Sequence, residues 1–104
     1  MKNYVIASLV LMAASSVAFG AGNAAAGKEK NSMCAGCHGI PGYRTVYPET
    51  YQVPKLGGQH AQYIVDALKE YKSGDRKHAT MRAIAAGLSE QDMSDLAAYY
   101  AGGQ

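Results

Sequence analysis

Cys34 and Cys37 stand three positions apart, and His38 follows at once. Cys-x-x-Cys-His is the spacing that covalent attachment of a c-type haem requires. Residues i and i+3 of a helical turn face one side, so the two sulfurs can add to the two vinyl groups of one porphyrin. His38 is then close enough to offer an imidazole nitrogen to the iron. The run Cys34-Ala35-Gly36-Cys37-His38 thus supplies two covalent anchors and one axial ligand. Two other chemistries share the cysteine spacing. A thioredoxin-like dithiol needs a βαβ context, and no convincing strand pattern accompanies the pair. A structural zinc site needs four ligands, normally in closely spaced pairs, and His60 and His78 make no second pair.

An iron held by His38 alone would be five-coordinate, and a methionine in the sixth position raises the reduction potential relative to a second histidine. Of the five methionines, Met33 adjoins Cys34 on the proximal side and cannot cross the ring. Met1 and Met12 fall in the first segment of the chain. Met93 belongs to an apolar helical stripe, where methionine usually fills core. Met81 stands at a loop-to-helix boundary in a polar neighbourhood, which an ordinary core role explains poorly, and is the expected distal ligand. His60, at the start of a helix, and His78, in a charged loop, are the rivals; a solvated side chain is the simpler reading of both.

The first segment reads as a secretory signal peptide over residues 1–20. Met1-Lys2-Asn3 opens it with positive charge, Tyr4 to Ala14 is apolar except for Ser8, and Ala18-Phe19-Gly20 puts small residues ahead of a cleavage point before Ala21. The apolar run is too short for a membrane span and is interrupted by Ser15 and Ser16. The domain is then expected over residues 21–104, exported to the periplasm. An exported cysteine pair would ordinarily suggest a disulfide, but His38 argues that both sulfurs are consumed as thioethers.

A single domain this small builds a marginal apolar core. The chain has no Trp, and its one Phe, Phe19, lies in the signal segment. A buried porphyrin would supply the missing centre. With Lys2 removed, nine basic side chains face eight acidic ones. No block of like charge suggests nucleic-acid binding.

The elements that must position these residues read as helices. Asn23 is an N-cap candidate before Ala24-Ala25-Ala26, opening a helix that runs into the Cys34 region. Gly27 inside it costs ~1 kcal/mol relative to Ala, which points either to a close helix approach or to a late helix start. Gly39 to Gly58 is rich in Gly, Pro and Tyr and is expected to be an ordered loop over a haem edge. There Tyr43, Arg44, Tyr47 and Tyr51 are candidate propionate donors. Gln59 to Lys72 is the clearest helix, with Tyr63, Ile64, Ala67, Leu68 and Tyr71 on one face. Ser73-Gly74 ends it. Thr80 to Ala86 makes a short helix closed by Gly87. Ser89 and Asp92 form a capping-box-like start to a last helix whose stripe is Met93, Leu96, Ala97 and Tyr100.

Taken together, the chain resembles the small mono-haem class I c-type cytochromes of bacteria. The resemblance rests on Gly27-Lys28, Cys34-Ala-Gly-Cys37-His38-Gly39 and Pro54-Lys-Leu56-Gly-Gly58-Gln59. Met81, with Ala85, Leu88 and Ser89 behind it, and Leu96-Ala-Ala-Tyr99-Tyr100 complete it. It implies an all-α cytochrome c fold, about four short helices and a long loop wrapped around one covalently attached haem c. It also implies that Met81 is the distal ligand, that the Pro54 carbonyl accepts from the second ring nitrogen of His38, and that Leu56 packs on the haem. The first and last helices would cross near Gly27, Leu96 and Tyr99. Family members with two haems carry two such domains; this sequence carries one motif.

The expected role is that of a soluble one-electron carrier between respiratory complexes, monomeric and without catalysis of its own. Its redox partners would dock transiently at the haem edge. A haem-based sensor and a dedicated electron-transfer subunit of a larger oxidoreductase are the alternatives. With near-zero net charge, long-range steering toward a partner is modest unless charges cluster. Stopped-flow association with the redox partner should therefore depend only weakly on ionic strength, and a steep fall in rate with salt would contradict this.

Overall fold

The Asn23 side chain accepts from the Ala26 N–H at 3.1 Å and begins the first helix where its residue type predicts. The structure, a computed structural model, describes residues 22–47 and 49–103; the segment read as a signal peptide lies outside the described residues. Among the described residues five helices follow one another: α1 (Ala24–Lys30), α2 (Ser32–His38), α3 (Ala61–Ser73), α4 (Ala79–Ala86) and α5 (Glu90–Ala101). Between α2 and α3 lie two short strands, β1 (Arg44–Thr45) and β2 (Tyr51–Gln52). They pair antiparallel, with Arg44 opposite Gln52 and Thr45 opposite Tyr51.

Three features differ from the sequence expectation. The helix expected to run from Asn23 into the cysteine motif is two helices, because Asn31 sits at φ −82°, ψ −2° between them. Asparagine competes poorly for helix interiors. The break separates the direction of α1, which lies against α5, from that of α2, which carries the cysteines. The hairpin was not readable either, since a two-residue ladder leaves no alternation to detect. Val46 and Tyr47, expected to rest on an apolar surface, are 79% and 88% exposed.

The remaining helix ends follow their sequence signals. Gly74 closes α3 in the left-handed conformation (φ 88°), and its N–H donates to the Glu70 carbonyl at 3.0 Å. The capping box of α5 is complete: Asp92 N–H donates to Ser89 Oγ at 3.0 Å, and Ser89 N–H donates to Asp92 Oδ2 at 2.9 Å.

α5 is the central element. Its Met93, Leu96, Ala97 and Tyr100 join Ile64 of α3 and Leu88 to form the buried core, against which Cys34, Leu56, Val65, Leu68 and Tyr99 pack. The loop before α3 is tied to its end by Gly58 N–H donating to the Tyr100 carbonyl at 3.0 Å. Lys72 Nζ likewise donates to the Leu88 carbonyl at 2.5 Å, holding α3 to the α4–α5 connection.

α1 crosses α5 at Gly27, which is buried. A methyl group there would overlap the Asp95 carbonyl and come within 2.8 Å of Tyr99 Cβ. Close approach, not a late helix start, is therefore the reason for this glycine. The same crossing buries the Asp95 carboxylate, whose Oδ1 accepts from Asn23 N–H at 2.8 Å and Gln91 Nε2 at 2.8 Å. Lys30 Nζ reaches Asp95 Oδ2 at 2.6 Å and Asp92 Oδ1 at 2.9 Å. The Asn23 backbone donor and then Lys30 hold the Asp95 carboxyl below the usual carboxylate range. The backbone of Ser89, then Lys30, lowers Asp92 to about 2.

Gly27→Ala should lower stability despite a helix-propensity gain of ~1 kcal/mol, because overpacking a tight contact costs ~1–3 kcal/mol; thermal unfolding will show a reduced midpoint. Asp95→Asn should cost about 1.5–3 kcal/mol at neutral pH, the usual worth of hydrogen bonds to a charged group. Because the folded pKa is depressed, this stabilisation is present above the ordinary carboxylate value near ~4. It is lost as pH falls through the lower folded value. Denaturant titrations should therefore show the gap between parent and variant closing below about pH 4.

Candidate functional site

α2 brings Cys34, Cys37 and His38 to one wall of a cavity of about 410 Å³, a size within the ~300–1,000 Å³ typical of cofactor sites. The i, i+3 relation on a helix places both sulfurs on that wall, as the spacing predicts. Both cysteines are half-buried, and they do not pair in a disulfide. Burial pushes the Cys34 thiol up from its ordinary pKa.

His38 is fixed by a second contact. Its Nδ1 lies 2.7 Å from the Pro54 carbonyl. A carbonyl oxygen only accepts, so Nδ1 carries the proton and Nε2 keeps its lone pair for a metal. A carbonyl bonded in this way orients an imidazole ligand and raises its basicity. The bond joins α2 to a loop sixteen residues further along the chain, so it depends on tertiary structure.

Other walls come from remote segments. Pro54 and Leu56 contribute from the loop, and Ile64, Ala67, Leu68 and Tyr71 from α3. Met81 and Ile84 come from α4, and Leu96 and Tyr100 from α5. All six residues expected at the site, Cys34, Cys37, His38, Pro54, Leu56 and Met81, therefore line one cavity. Met33 lines it as well. Met93 is 1% exposed and belongs to the core, as its place in the stripe predicts.

The two rival histidines part company. His60 occupies the N-cap position of α3, makes no side-chain cap bond and is exposed, outside the cavity wall. His78 is half-buried and lines the cavity, so the solvated reading holds for His60 and fails for His78. The reason is tertiary: the charged neighbours Arg76 and Lys77 made the segment read as solvent-facing, but it packs against the hairpin and α3.

Of the four candidate propionate donors, Tyr51 lines the cavity, whereas Tyr43, Arg44 and Tyr47 do not. Sequence reasoning passed over Thr45, Gln52, Arg76 and Lys77, all in the wall. Arg76 carries its guanidinium 5.0 Å from the centroid of the Tyr71 ring and donates to the Tyr63 hydroxyl at 3.4 Å. Its position beside a left-handed helix end, among charged residues, resembles an ordinary solvated turn, so no local signal marked it.

The wall is predominantly apolar, with few polar groups converging on it. The Tyr100 hydroxyl is buried and has no hydrogen-bond partner among the described residues. Burial, then the neighbouring Cys34, pushes Tyr100 up to about 12, yet neither Cys34 nor Asn31 meets the hydroxyl at bonding geometry. Two thiols, an imidazole Nε2, a thioether and a large apolar surface make a donor set that fits a covalently held haem.

The comparisons with known proteins agree. A family profile described as Cytochrome c matches residues 24–102. Cytochrome c-554(548) of Halomonas halodenitrificans is 42% identical over 85 residues, covering 77% of this chain and 95% of that protein. Cytochrome c4 of Pseudomonas aeruginosa is 35% identical over 101 residues, covering 97% of this chain and 48% of the relative. The chain thus spans about half the length of this relative. Among solved structures, reduced recombinant cytochrome c4 from Pseudomonas stutzeri superposes with a TM-score of 0.59 at 30% identity. It covers 82% of this chain and 52% of that one. The helical architecture is therefore that of the cytochrome c fold, and the chain belongs to the cytochrome c family, among its small bacterial class I c-type members.

Proposed function

We propose that this protein is a periplasmic one-electron carrier holding a single haem c through thioethers to Cys34 and Cys37, with His38 Nε2 and the Met81 sulfur as axial ligands. The observation that carries the reading is the convergence of the cysteine motif and Met81 on one cavity, with His38 already oriented by the Pro54 carbonyl. When bound, the haem supplies one-electron exchange between ferric and ferrous iron.

The chain's own residues account for the remainder. Cys34 and Cys37 retain the cofactor irreversibly, and Pro54 holds the tautomer in which His38 can ligate. Leu56, Ile64, Leu68 and Leu96 line the cavity and would keep water from the haem. His38 and Met81 would both hold the iron, which would leave no position for a substrate or gas and would favour outer-sphere transfer over sensing.

Electrons would arrive from a dehydrogenase or quinol-oxidising complex and leave to a terminal oxidase or reductase, through transient docking of the monomer at the exposed edge of the cavity. Export rests on the signal-peptide reading of residues 1–20. No helix among the described residues is long and apolar enough to cross a membrane.

Met81→Ala tests the assignment. The oxidised protein should show the weak sulfur-to-iron charge-transfer band, and the variant should lose it. The variant should also gain carbon monoxide binding when reduced and titrate at a lower midpoint potential. Covalent haem content should stay unchanged. If the parent has covalent haem but no such band, the His38/Met81 pairing is wrong and a bis-histidine or sensor reading replaces it.

A further inference from the structure

His78 is the one cavity-lining histidine without a part in haem attachment, and its contacts are specific. It occupies the N-cap position of α4 with extended backbone (φ −163°, ψ 110°), and its Nδ1 accepts from the Met81 N–H at 3.2 Å. The first N–H groups of a helix have no partner within it. Met81 lies in that first turn, so its placement is only as firm as the turn that carries it.

The imidazole ring is braced on two sides. Tyr51 of β2 packs on it with centroids 4.7 Å apart and planes tilted by 49°. Tyr71 of α3 meets it edge-on at 6.3 Å. Tyr51 is steadied in turn by its hydroxyl, which donates to Glu49 Oε2 at 2.8 Å. Asparagine or serine would cap the helix as well or better, but neither offers a ring for two tyrosines to clamp. A histidine here combines a cap acceptor with an aromatic face, which accounts for its presence where a smaller cap would suffice.

We propose that His78 is a positioning residue for the distal ligand: it holds Met81 in place through the Met81 amide and transmits the rigidity of the β1–β2 hairpin and α3 to the first turn of α4. This rests on the reading of Met81 as an iron ligand. It gives the hairpin segment a task beyond covering the cavity, since Tyr51 reaches Met81 through the His78 ring.

The test compares the haem-loaded parent with His78→Ala, His78→Gln and His78→Asn. Alanine cannot cap, and glutamine, one methylene longer than asparagine, caps poorly; asparagine places an acceptor close to where Nδ1 stands. In the two non-capping variants, amide hydrogen exchange at Met81 should speed up. Carbon monoxide should bind the reduced protein about fivefold more tightly, equivalent to ~1 kcal/mol at 1.36 kcal/mol per tenfold. His78→Asn should recover part of both effects, since it restores the cap acceptor but not the ring held between Tyr51 and Tyr71. If His78→Ala fails to fold, the glutamine and asparagine pair makes the same comparison. Parent-like exchange and carbon monoxide affinity in the non-capping variants would overturn the proposal, as would an asparagine variant no closer to the parent than the glutamine one. A parent without the sulfur-to-iron band would instead overturn Met81 ligation itself, whereas a parent with the band and an indifferent His78→Ala refutes only the positioning role.

Discussion

The close crossing of α1 and α5 is the contact on which the other arrangements depend. It requires the absence of a side chain at Gly27 and the presence of a buried carboxylate at Asp95. The glycine lets the two backbones approach. The carboxylate accepts from the Asn23 backbone and from Lys30 across the seam. A buried charge is tolerated only when paired and hydrogen-bonded, so the aspartate also specifies which part of α1 lies over it. With α1 seated, the break at Asn31 turns α2 so that its cysteines face the cavity rather than solvent.

The site is then closed by segments that have little in common locally. α2 brings Cys34, Cys37 and His38; the loop at Pro54 orients the imidazole; α4 brings Met81. These pieces are far apart in sequence, and Cys34 and Leu56 pack against the buried cluster that joins them. The buried cluster centred on α5 provides the platform, but it stops at the cavity wall, where Leu96 and Tyr100 belong to both. A core of this size stabilises a small domain only marginally, which explains why so much of the chain's apolar surface faces the cofactor cavity.

His78 and the hairpin show how a reading based on local character fails. Arg76, Lys77 and His78 are consecutive polar residues after a helix end, the usual composition of a solvated turn. In the fold, Arg76 lies over Tyr71 and His78 stacks on Tyr51, because aromatic rings offer apolar faces to side chains whose polar ends remain satisfied. Val46 and Tyr47 err in the other direction, being apolar yet largely exposed. Hydropathy measures what a side chain would prefer, not whether a neighbour arrives to cover it.

What the sequence by itself determined is whatever depends on near neighbours in the chain. That covers the haem motif, in which spacing along one helical turn aligns two sulfurs, and the caps at Asn23, Gly74 and Ser89. It also covers the stripe of α5, with Met93 in the core. The tertiary structure alone decided the contacts between residues distant in sequence. These are the reason for Gly27, the charged knot at Asp95, the hairpin register, and the place of Arg76, Lys77 and Tyr100 in the cavity wall. They also include the seating of the His78 ring between Tyr51 and Tyr71. Helix periodicity and capping are short-range effects that leave a pattern in consecutive residues. Packing across elements is set by which surfaces meet, and a single sequence carries no record of that meeting until the chain has folded.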